Sequence, residues 1–281
     1  MANASFKRKW RVQVGDMSTE ALRVKFKITK TLGKEPNSCD LMIWNLAEAS
    51  RAKLKGSGLA CIVEAGYEGA TSGNATIFSG DTRTVDHPRD HADWITHVQC
   101  GDGEKAYQFA HVNKSFTSAS FQSIVQEVAK TLSPNLGNLN DALDAIRAKG
   151  RKIPDFTKGF VAHGRASDTL ATLLKSVGLD FSVHQGSLLV VEPGQPAAQS
   201  VFKLTPETGL IGSPDHTPPE HKNKPATLKC RCLLNPQLLP AGVIRIESAS
   251  VKGDFVIQKL DHVGDSHGAD WLTVIEAWAK S

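Results

Sequence analysis

Two Asp-His pairs, Asp86-His87 and Asp261-His262, stand out as residues that could do chemistry, and each has a further His nearby. Asp and His are common ligands of zinc and other transition metals. The surrounding turn residues place both pairs at the tips of predicted hairpins. Because neighbouring side chains of a strand point to opposite faces, the two members of a pair do not converge on one ion. We therefore interpret them as turn or interface residues and expect no metal and no other cofactor.

Two further groupings could carry chemistry. Asp180, Ser182 and His184 are the residue types of a hydrolase triad, but they lie on one short predicted strand without a nucleophile elbow or an oxyanion donor. Cys230 and Cys232 share one face of a predicted strand and could form a thiol pair or half of a metal site. The chain has 5 Cys in spacings that fit no zinc pattern, so packed free thiols are the better interpretation. The sequence therefore predicts a protein that is not an enzyme.

Both Asp-His pairs belong to a longer repeat, found at residues 80–96 and again at 253–273. Each copy runs Gly-Asp, strand, apolar-Asp-His, turn, Ala-Asp-Trp-(Ile or Leu)-Thr, strand. Trp94 and Trp271 hold the same position in the two copies, which favours a barrel anchor or a ring interface over stacking on a sugar or base. A shared order of rare residues predicts a duplicated β-domain with an insertion between the copies.

Alternating apolar and polar side chains mark the strands that would position these residues. Residues 22–29 are the clearest case, with Lys25 and Lys27 on the outer face. That basic face can be solvated, can rest on an acidic partner or can line a channel. Further strands are predicted at 39–46, 59–67, 75–85 and 93–100, with one short helix at 46–54. Antiparallel strands in this number predict a barrel or sandwich.

The middle of the chain has a different character. Helices are predicted at 120–132 and 138–149, and a third begins at Ser167 or Asp168; a hairpin follows over 179–191. Residues 205–225 are rich in Pro, Gly, His and charge without periodicity, which predicts a long functional loop. Strands resume at 227. The predicted division is a β-barrel domain over 1–105, an α+β module over 106–195 and a second β-barrel domain over 196–281.

Composition limits the function classes only loosely. The chain has 281 residues and a formal net charge of +4, with its basic residues spread out, so charge alone does not predict nucleic-acid binding. No apolar run reaches membrane-spanning length, and residues 1–10 lack the apolar core of a signal peptide. We expect synthesis in a cytoplasm.

Several segments, taken in order, resemble the baseplate hub proteins of contractile-tailed phages, also called tail hub or late-control proteins. They cover nearly the whole chain, and none is a catalytic signature. These segments are Pro36-Asn37, Leu41-Met42-Ile43-Trp44-Asn45-Leu46, Glu64-Ala65-Gly66-Tyr67, Ile77-Phe78-Ser79-Gly80-Asp81, Val112-Asn113-Lys114-Ser115-Phe116, Thr208-Gly209-Leu210-Ile211-Gly212-Ser213-Pro214, and Leu233-Leu234-Asn235-Pro236 through to Trp271.

The resemblance implies a mainly β fold in which two domains similar to the tail-tube subunit flank the α+β module. It also implies a homotrimer that presents six such domains, adapts a six-fold tube to a trimeric spike and nucleates tube assembly. The implied partners are the spike, the tail tube or a tube-initiator protein, the baseplate wedge proteins and the tape-measure protein, with DNA only in transit through the lumen. The implied location is the tail baseplate of a virion.

Two alternatives to a phage hub stay open, namely a spike-base component of a tailocin or type VI-like injection machine and a tail-tip cell-wall hydrolase. The middle module could bind peptidoglycan, contact wedge proteins or buttress the barrels. For the hub, residues in the repeat, on the basic strand and in the 205–225 loop are the candidates for interface contacts. They are Lys25, Lys27, Asp86, His87, Trp94, Asp215, His216, Asp261, His262 and Trp271.

Overall fold

The computed structural model describes residues 7–33, 36–69, 74–102, 109–156, 158–184, 186–197, 201–218 and 226–280. The chain is mainly β, with one large sheet of 14 strands. The elements before residue 103 are β1 (Arg8–Val14), β2 (Met17–Thr19), β3 (Val24–Thr31), β4 (Ser38–Trp44), α1 (Glu48–Lys53), β5 (Ala60–Tyr67), β6 (Asn74–Asp86), β7 (Arg89–Asp90) and β8 (Asp93–Gly101). We call them the first β unit.

The central elements form what we call the middle module. They are β9 (His111–Phe116), β10 (Ala119–Ser120), α2 (Phe121–Leu132), α3 (Leu139–Ala148), β11 (Asp155–Phe156), β12 (Phe160–Arg165), α4 (Ala166–Ser176), β13 (Asp180–His184) and β14 (Ser187–Val191). The second β unit follows. It comprises β15 (Val201–Leu204), a 3₁₀ turn (Pro206–Thr208), β16 (Leu210–Thr217), β17 (Thr227–Leu233), β18 (Val243–Glu247), β19 (Lys252–Asp265) and β20 (Trp271–Ala279).

The two β units pair their strands in the same order. In the first unit the order is β3-β4-β8-β6-β5-β1, and in the second it is β16-β17-β20-β19-β18-β15. Neighbours are antiparallel throughout both series, except that β15 runs parallel to β18. The duplication that the residue repeat predicted therefore extends over six strands of each unit.

Each part of the chain has its own cluster of buried apolar side chains. Strand β3 alternates buried and exposed residues as its sequence predicts, and turns Val24, Phe26 and Ile28 into the core of the first unit. Leu234 and Trp271 of the second unit also lie in that core. The first and second β units are thus packed against each other at this point.

The middle module buries one face of each of its three helices, so their apolar spacing predicted them correctly. Ser120 is the N-cap of α2, and its hydroxyl accepts a hydrogen bond from the backbone N–H of Ser123 at 3.2 Å. The predicted cap of α4 is wrong. Arg165 holds that position, and Ser167 and Asp168 lie inside the first turn.

Residues 205–225 differ from the predicted loop. The side chain of Thr205 caps the 3₁₀ turn, and Leu210–Thr217 is a strand of the large sheet. The strand escaped prediction because its pairing with β17 is irregular between Ile211 and Asp215, which removes the alternation. Residues 219–225 lie outside the described residues. Within the described part of the chain, none of the helices combines the length and apolar character needed to cross a membrane.

Candidate functional site: the joint between the β units

Strand β19 joins the second β unit to the first by pairing with β3. The register runs antiparallel from Lys259 opposite Thr31 to Asp265 opposite Lys25. We call this pairing, with the residues packed on it, the joint. It makes the two units one continuous sheet, and it gathers four of the predicted interface positions: Lys25, Lys27, Asp261 and His262.

Two carboxylates of β19 bind β3 and its neighbours. The hydroxyl of Thr29 donates to Oδ1 of Asp261 at 2.6 Å. Asp265 accepts hydrogen bonds from Nη2 of Arg23 at 2.9 Å and from the backbone N–H of Gly268 at 2.9 Å. Burial alone would raise the pKa of Asp265, but these donors together lower it to about 2. At neutral pH Asp265 is therefore negatively charged, and its carboxylate links β19 to Arg23, the residue before β3.

His262 is fully buried and lies inside β19, so the predicted hairpin tip is wrong for this pair. The strand continues three residues further, to Asp265, because β3 pairs with it up to that point. Nδ1 of His262 is 2.9 Å from the hydroxyl of Thr273. Burial, with a smaller contribution from the charge of Lys30, lowers the pKa of His262 well below its usual range. The imidazole is therefore neutral and acts as a packed, hydrogen-bonded group.

Trp271 anchors the second unit in the first. Its ring is 3% exposed and meets Phe26 edge-on, with 5.5 Å between centroids, and Trp10 at 6.3 Å. Its Nε1 donates to the backbone oxygen of Gly66 at 3.2 Å. The position that the sequence predicted as an anchor or an interface is thus buried at the contact between the two units.

The same residues of the first copy are less covered. Nδ1 of His87 lies 3.1 Å from the hydroxyl of Thr96, matching the contact of His262 with Thr273. Asp86 ends β6, is exposed, and has Nδ1 of His97 at 3.5 Å. Trp94 is half-buried, with the guanidinium groups of Arg51 and Arg89 at 4.4 and 5.8 Å from its ring.

Besides Asp86, four of the predicted interface positions are exposed. Lys25 and Lys27 point away from the core on β3, and Asp215 and His216 lie on β16, an outermost strand of the large sheet. The structure therefore brings some of the candidates together at the joint and leaves the others on separate strands. Their role as contacts between subunits stays a prediction.

Sequence reasoning missed a polar contact between the first β unit and the middle module. Nδ2 of Asn37 lies 3.2 Å from Oδ2 of Asp102, 3.0 Å from the backbone oxygen of Val183 and 2.9 Å from Nδ1 of His184. Burial lowers the pKa of His184 to about 3, and the charge of Lys30, which is 2% exposed, contributes to this shift, so Lys30 belongs to the same region. Residue 30 falls on the inward-facing side of the alternation in β3. Its burial could have been predicted from that position.

This contact also decides the chemistry of Ser182 and His184. Since Asn37 Nδ2 is only a donor, Nδ1 of His184 accepts, and the proton of the neutral ring is on Nε2. Nε2 lies 2.9 Å from the hydroxyl of Ser182, so it donates to that oxygen and cannot remove its proton. Ser182 is 1% exposed. The pair holds the module in place and does not form an activated nucleophile.

Comparison with known proteins identifies a family. The model of the family described as baseplate hub gp41 matches residues 9–277. Comparison with curated protein sequences gives no match.

Solved structures share the fold over nearly the whole chain. The 43 kDa tail protein of prophage MuSo2 from Shewanella oneidensis matches with a TM-score of 0.68 and 12% identity, over 98% of this chain and 97% of that one. A tail protein from Neisseria meningitidis gives 0.65 and 11%, with 97% of each chain covered. An Escherichia coli component of the type VI secretion system gives 0.63 and 11%, over 96% of this chain and 77% of that one.

Proposed function

Because the chain belongs to the baseplate hub gp41 family, whose members are structural components of the tail baseplate of the virion, we propose that it forms a trimeric ring with pseudo-six-fold symmetry. The observation that carries this proposal is the repeated strand order of the two β units, joined by pairing of β19 with β3. Three chains with two similar units each supply six similar positions around one axis.

Such a ring would adapt the six-fold tail tube to a trimeric spike and nucleate tube assembly. One rim, with six similar units, would receive the tube or a tube-initiator protein. The other would hold the spike, while wedge proteins attach outside and the tape-measure protein and DNA pass through the lumen. The proposal divides the chain into β-barrel domains at 1–105 and 196–281 and the α+β module at 106–195. A role of this kind is mechanical and needs no catalytic residue.

The exposed candidates would serve as contacts in this assembly. Lys25 and Lys27 lie on one face of β3, and Asp215 and His216 lie on the outermost strand β16. The second candidate function is that of a spike-base component in a tailocin or type VI-like injection machine, because a type VI secretion component shares the fold. The mechanics would be the same in both machines.

The test is the mass of the purified chain in solution, measured by light scattering alone and with its candidate spike protein. We expect a trimer in at least one condition, and rings with six similar lobes in electron micrographs. A matched control is the chain with an unrelated trimeric protein, which should leave its mass unchanged. A chain that stays monomeric with the spike would overturn the symmetry-adaptor proposal.

A further inference from the structure

We propose that a cleft on the second β unit binds an arginine side chain of the trimeric spike protein. The cleft lies on the solvent-facing side of β16, β17 and β20 and has a volume of about 300 Å³. We call it the Trp278 cleft. Its polar and aromatic lining residues are Asp215, Thr217, Thr227, Lys229, Glu276 and Trp278. The proposal rests on the ring described above and gives its contact with the spike a defined chemistry.

The cleft forms where a row of side chains changes from small to large. Thr217 of β16 lies opposite Thr227 of β17, which in turn lies opposite Trp278 of β20. Because the two threonines are short, they leave a depression beside the indole. Lys229 and Glu276 lie in the adjacent row of the same face and border this depression. The cleft therefore combines one aromatic wall with charged and hydroxyl groups.

The charges of the cleft leave one carboxylate without a counterion. Nζ of Lys229 lies 3.3 Å from Oε1 of Glu276, so these two groups neutralise each other. Asp215 is exposed, and within the described residues its carboxylate has no hydrogen bond or ion pair. The uncompensated charge is thus negative, and a cation from outside the chain complements it.

The indole of Trp278 is also without a cation. Its residue is 36% exposed, and no arginine or lysine in the described part of the chain lies over the ring. Guanidinium groups of the chain do lie over Trp44, Trp94 and Trp271, between 4.4 and 5.8 Å from the ring centroids. The Trp278 cleft offers the same kind of aromatic face next to a free carboxylate.

A guanidinium group satisfies both features at once. It is planar, so it can stack on the indole of Trp278 while its N–H groups donate to the carboxylate of Asp215. The hydroxyls of Thr217 and Thr227, which have no hydrogen-bond partner among the described residues, can accept the remaining N–H groups. The compact ammonium group of lysine lacks this planar fork, and an anion would be repelled by Asp215.

The cleft occurs once in each chain, although the β unit that carries it is repeated. Gly101 of β8 stands at the same distance after Trp94 as Trp278 stands after Trp271, and each ends the corresponding strand pairing. Since glycine has no side chain, the first unit offers no indole at this place. A ring of three chains would present the cleft three times. That number matches a trimeric spike and not a six-fold tube.

The arginine site is tested first on the chain alone, with N-acetylarginine amide as the probe. NMR spectroscopy records the indole N–H signals, and Trp278→Phe identifies the signal of Trp278. We expect the probe to shift that signal in the wild type and to shift it much less in Asp215→Asn. N-acetylglutamine amide, which has a polar but uncharged side chain, is the matched control and should leave the signal in place. A signal that moves with N-acetylglucosamine and not with the arginine probe would overturn the proposal in favour of a glycan site.

Binding of the candidate spike protein tests the partner. Trp278→Ala and Asp215→Asn should each raise the Kd for the spike by roughly tenfold, because three such contacts act together. Asp215→Asn should also reduce the salt dependence of binding, whereas Asp215→Glu should keep most of the affinity. Asp16→Asn removes an exposed carboxylate of the first unit and should leave the Kd unchanged. All four variants should unfold at the wild-type midpoint in urea, since the replaced side chains are exposed.

The two measurements separate this contact from the ring itself. Spike affinity that is unchanged in both Trp278→Ala and Asp215→Asn would overturn the contact and leave the trimeric ring intact. A chain that stays monomeric with the spike would overturn the ring and the spike contact together. The response of the Trp278 signal to the arginine probe would then decide by itself whether the cleft binds arginine.

Discussion

Lys30 is the residue whose burial is hardest to explain by packing alone. It occupies an inward position of β3 at 2% exposure, and within the described residues its ammonium group has no hydrogen-bond acceptor. The nearby charge of Asp102 partly compensates. A buried ammonium with so few partners costs free energy of folding. We therefore expect Lys30 to lower the stability of the fold rather than to add to it.

The first prediction concerns the pH dependence that this burial creates. Burial lowers the pKa of Lys30 to about 8, from 10.5. Between these values the unfolded chain binds more protons than the folded one, so stability rises with pH across the window, by up to about 3 kcal/mol. Lys30→Met should lack this contribution. The measurement is the free energy of unfolding in urea at pH 7, 8.5 and 10.

Lys25→Met is the matched control, since Lys25 is exposed on the same strand. It should keep the pH dependence of the wild type. If the curves of Lys30→Met and the wild type stay parallel from pH 8 to 10, the ammonium group is not buried as described.

At the scale of elements, the joint depends on close approach of β19 to β3. Gly264 lies opposite Phe26, and a Cβ atom added there would lie 2.3 Å from Cζ of that ring. The ring cannot move aside easily, because Trp271 packs against it. A glycine is therefore required at position 264, where β19 pairs with β3 beside the indole of Trp271.

The second prediction is that Gly264→Ala opens the joint. The clash should destabilise the chain by about 1–3 kcal/mol, the usual cost of overpacking a core. Unfolding in guanidinium chloride measures it, with Lys252→Ala at the exposed start of the same strand as control. The control should change stability by less than about 0.5 kcal/mol. If Gly264→Ala unfolds at the same denaturant midpoint as the wild type, the pairing of β19 with β3 does not require a glycine at this position.

The elements of this fold differ in how far the sequence predicts them. Strand β3 and helix α2 follow from alternation and helical spacing, because each buries one face against a single core. The two copies of the hairpin follow from the residue repeat. The alternation of β3 and the helical spacing of α2 are local signals, because each is contained in one strand or one helix.

Strand β16 and the joint could not be predicted in this way. The irregular register of β16 removes the period on which a strand assignment depends. The joint pairs Thr29 with Asp261, far apart in the chain, and no local pattern encodes such a partner. For this reason the sequence predicted the Asp-His pairs at hairpin tips, although the second pair lies inside a strand.

At the scale of the whole molecule, the two copies of the repeat differ mainly in what covers them. Trp271 is buried by Phe26 of β3 and Trp10 of β1, which belong to the other unit. Trp94 holds the equivalent position, is half-buried, and has the guanidinium groups of Arg51 and Arg89 over its ring. In the trimeric ring proposed above, a neighbouring chain would supply the cover that Trp94 lacks within the described part of a single chain.

The last prediction is that assembly buries Trp94. When the trimer forms, the indole should leave water, so tryptophan emission should shift to shorter wavelength and acrylamide quenching should fall. Trp94→Phe should lose this change, whereas Trp271→Phe should keep it and instead destabilise the monomer by about 1–3 kcal/mol. An assembly-linked shift that persists in Trp94→Phe would mean that another of the 5 tryptophans reports the contact. Since Trp271 is already covered within the chain, a shift confined to Trp94 would show that assembly covers the first unit at this position.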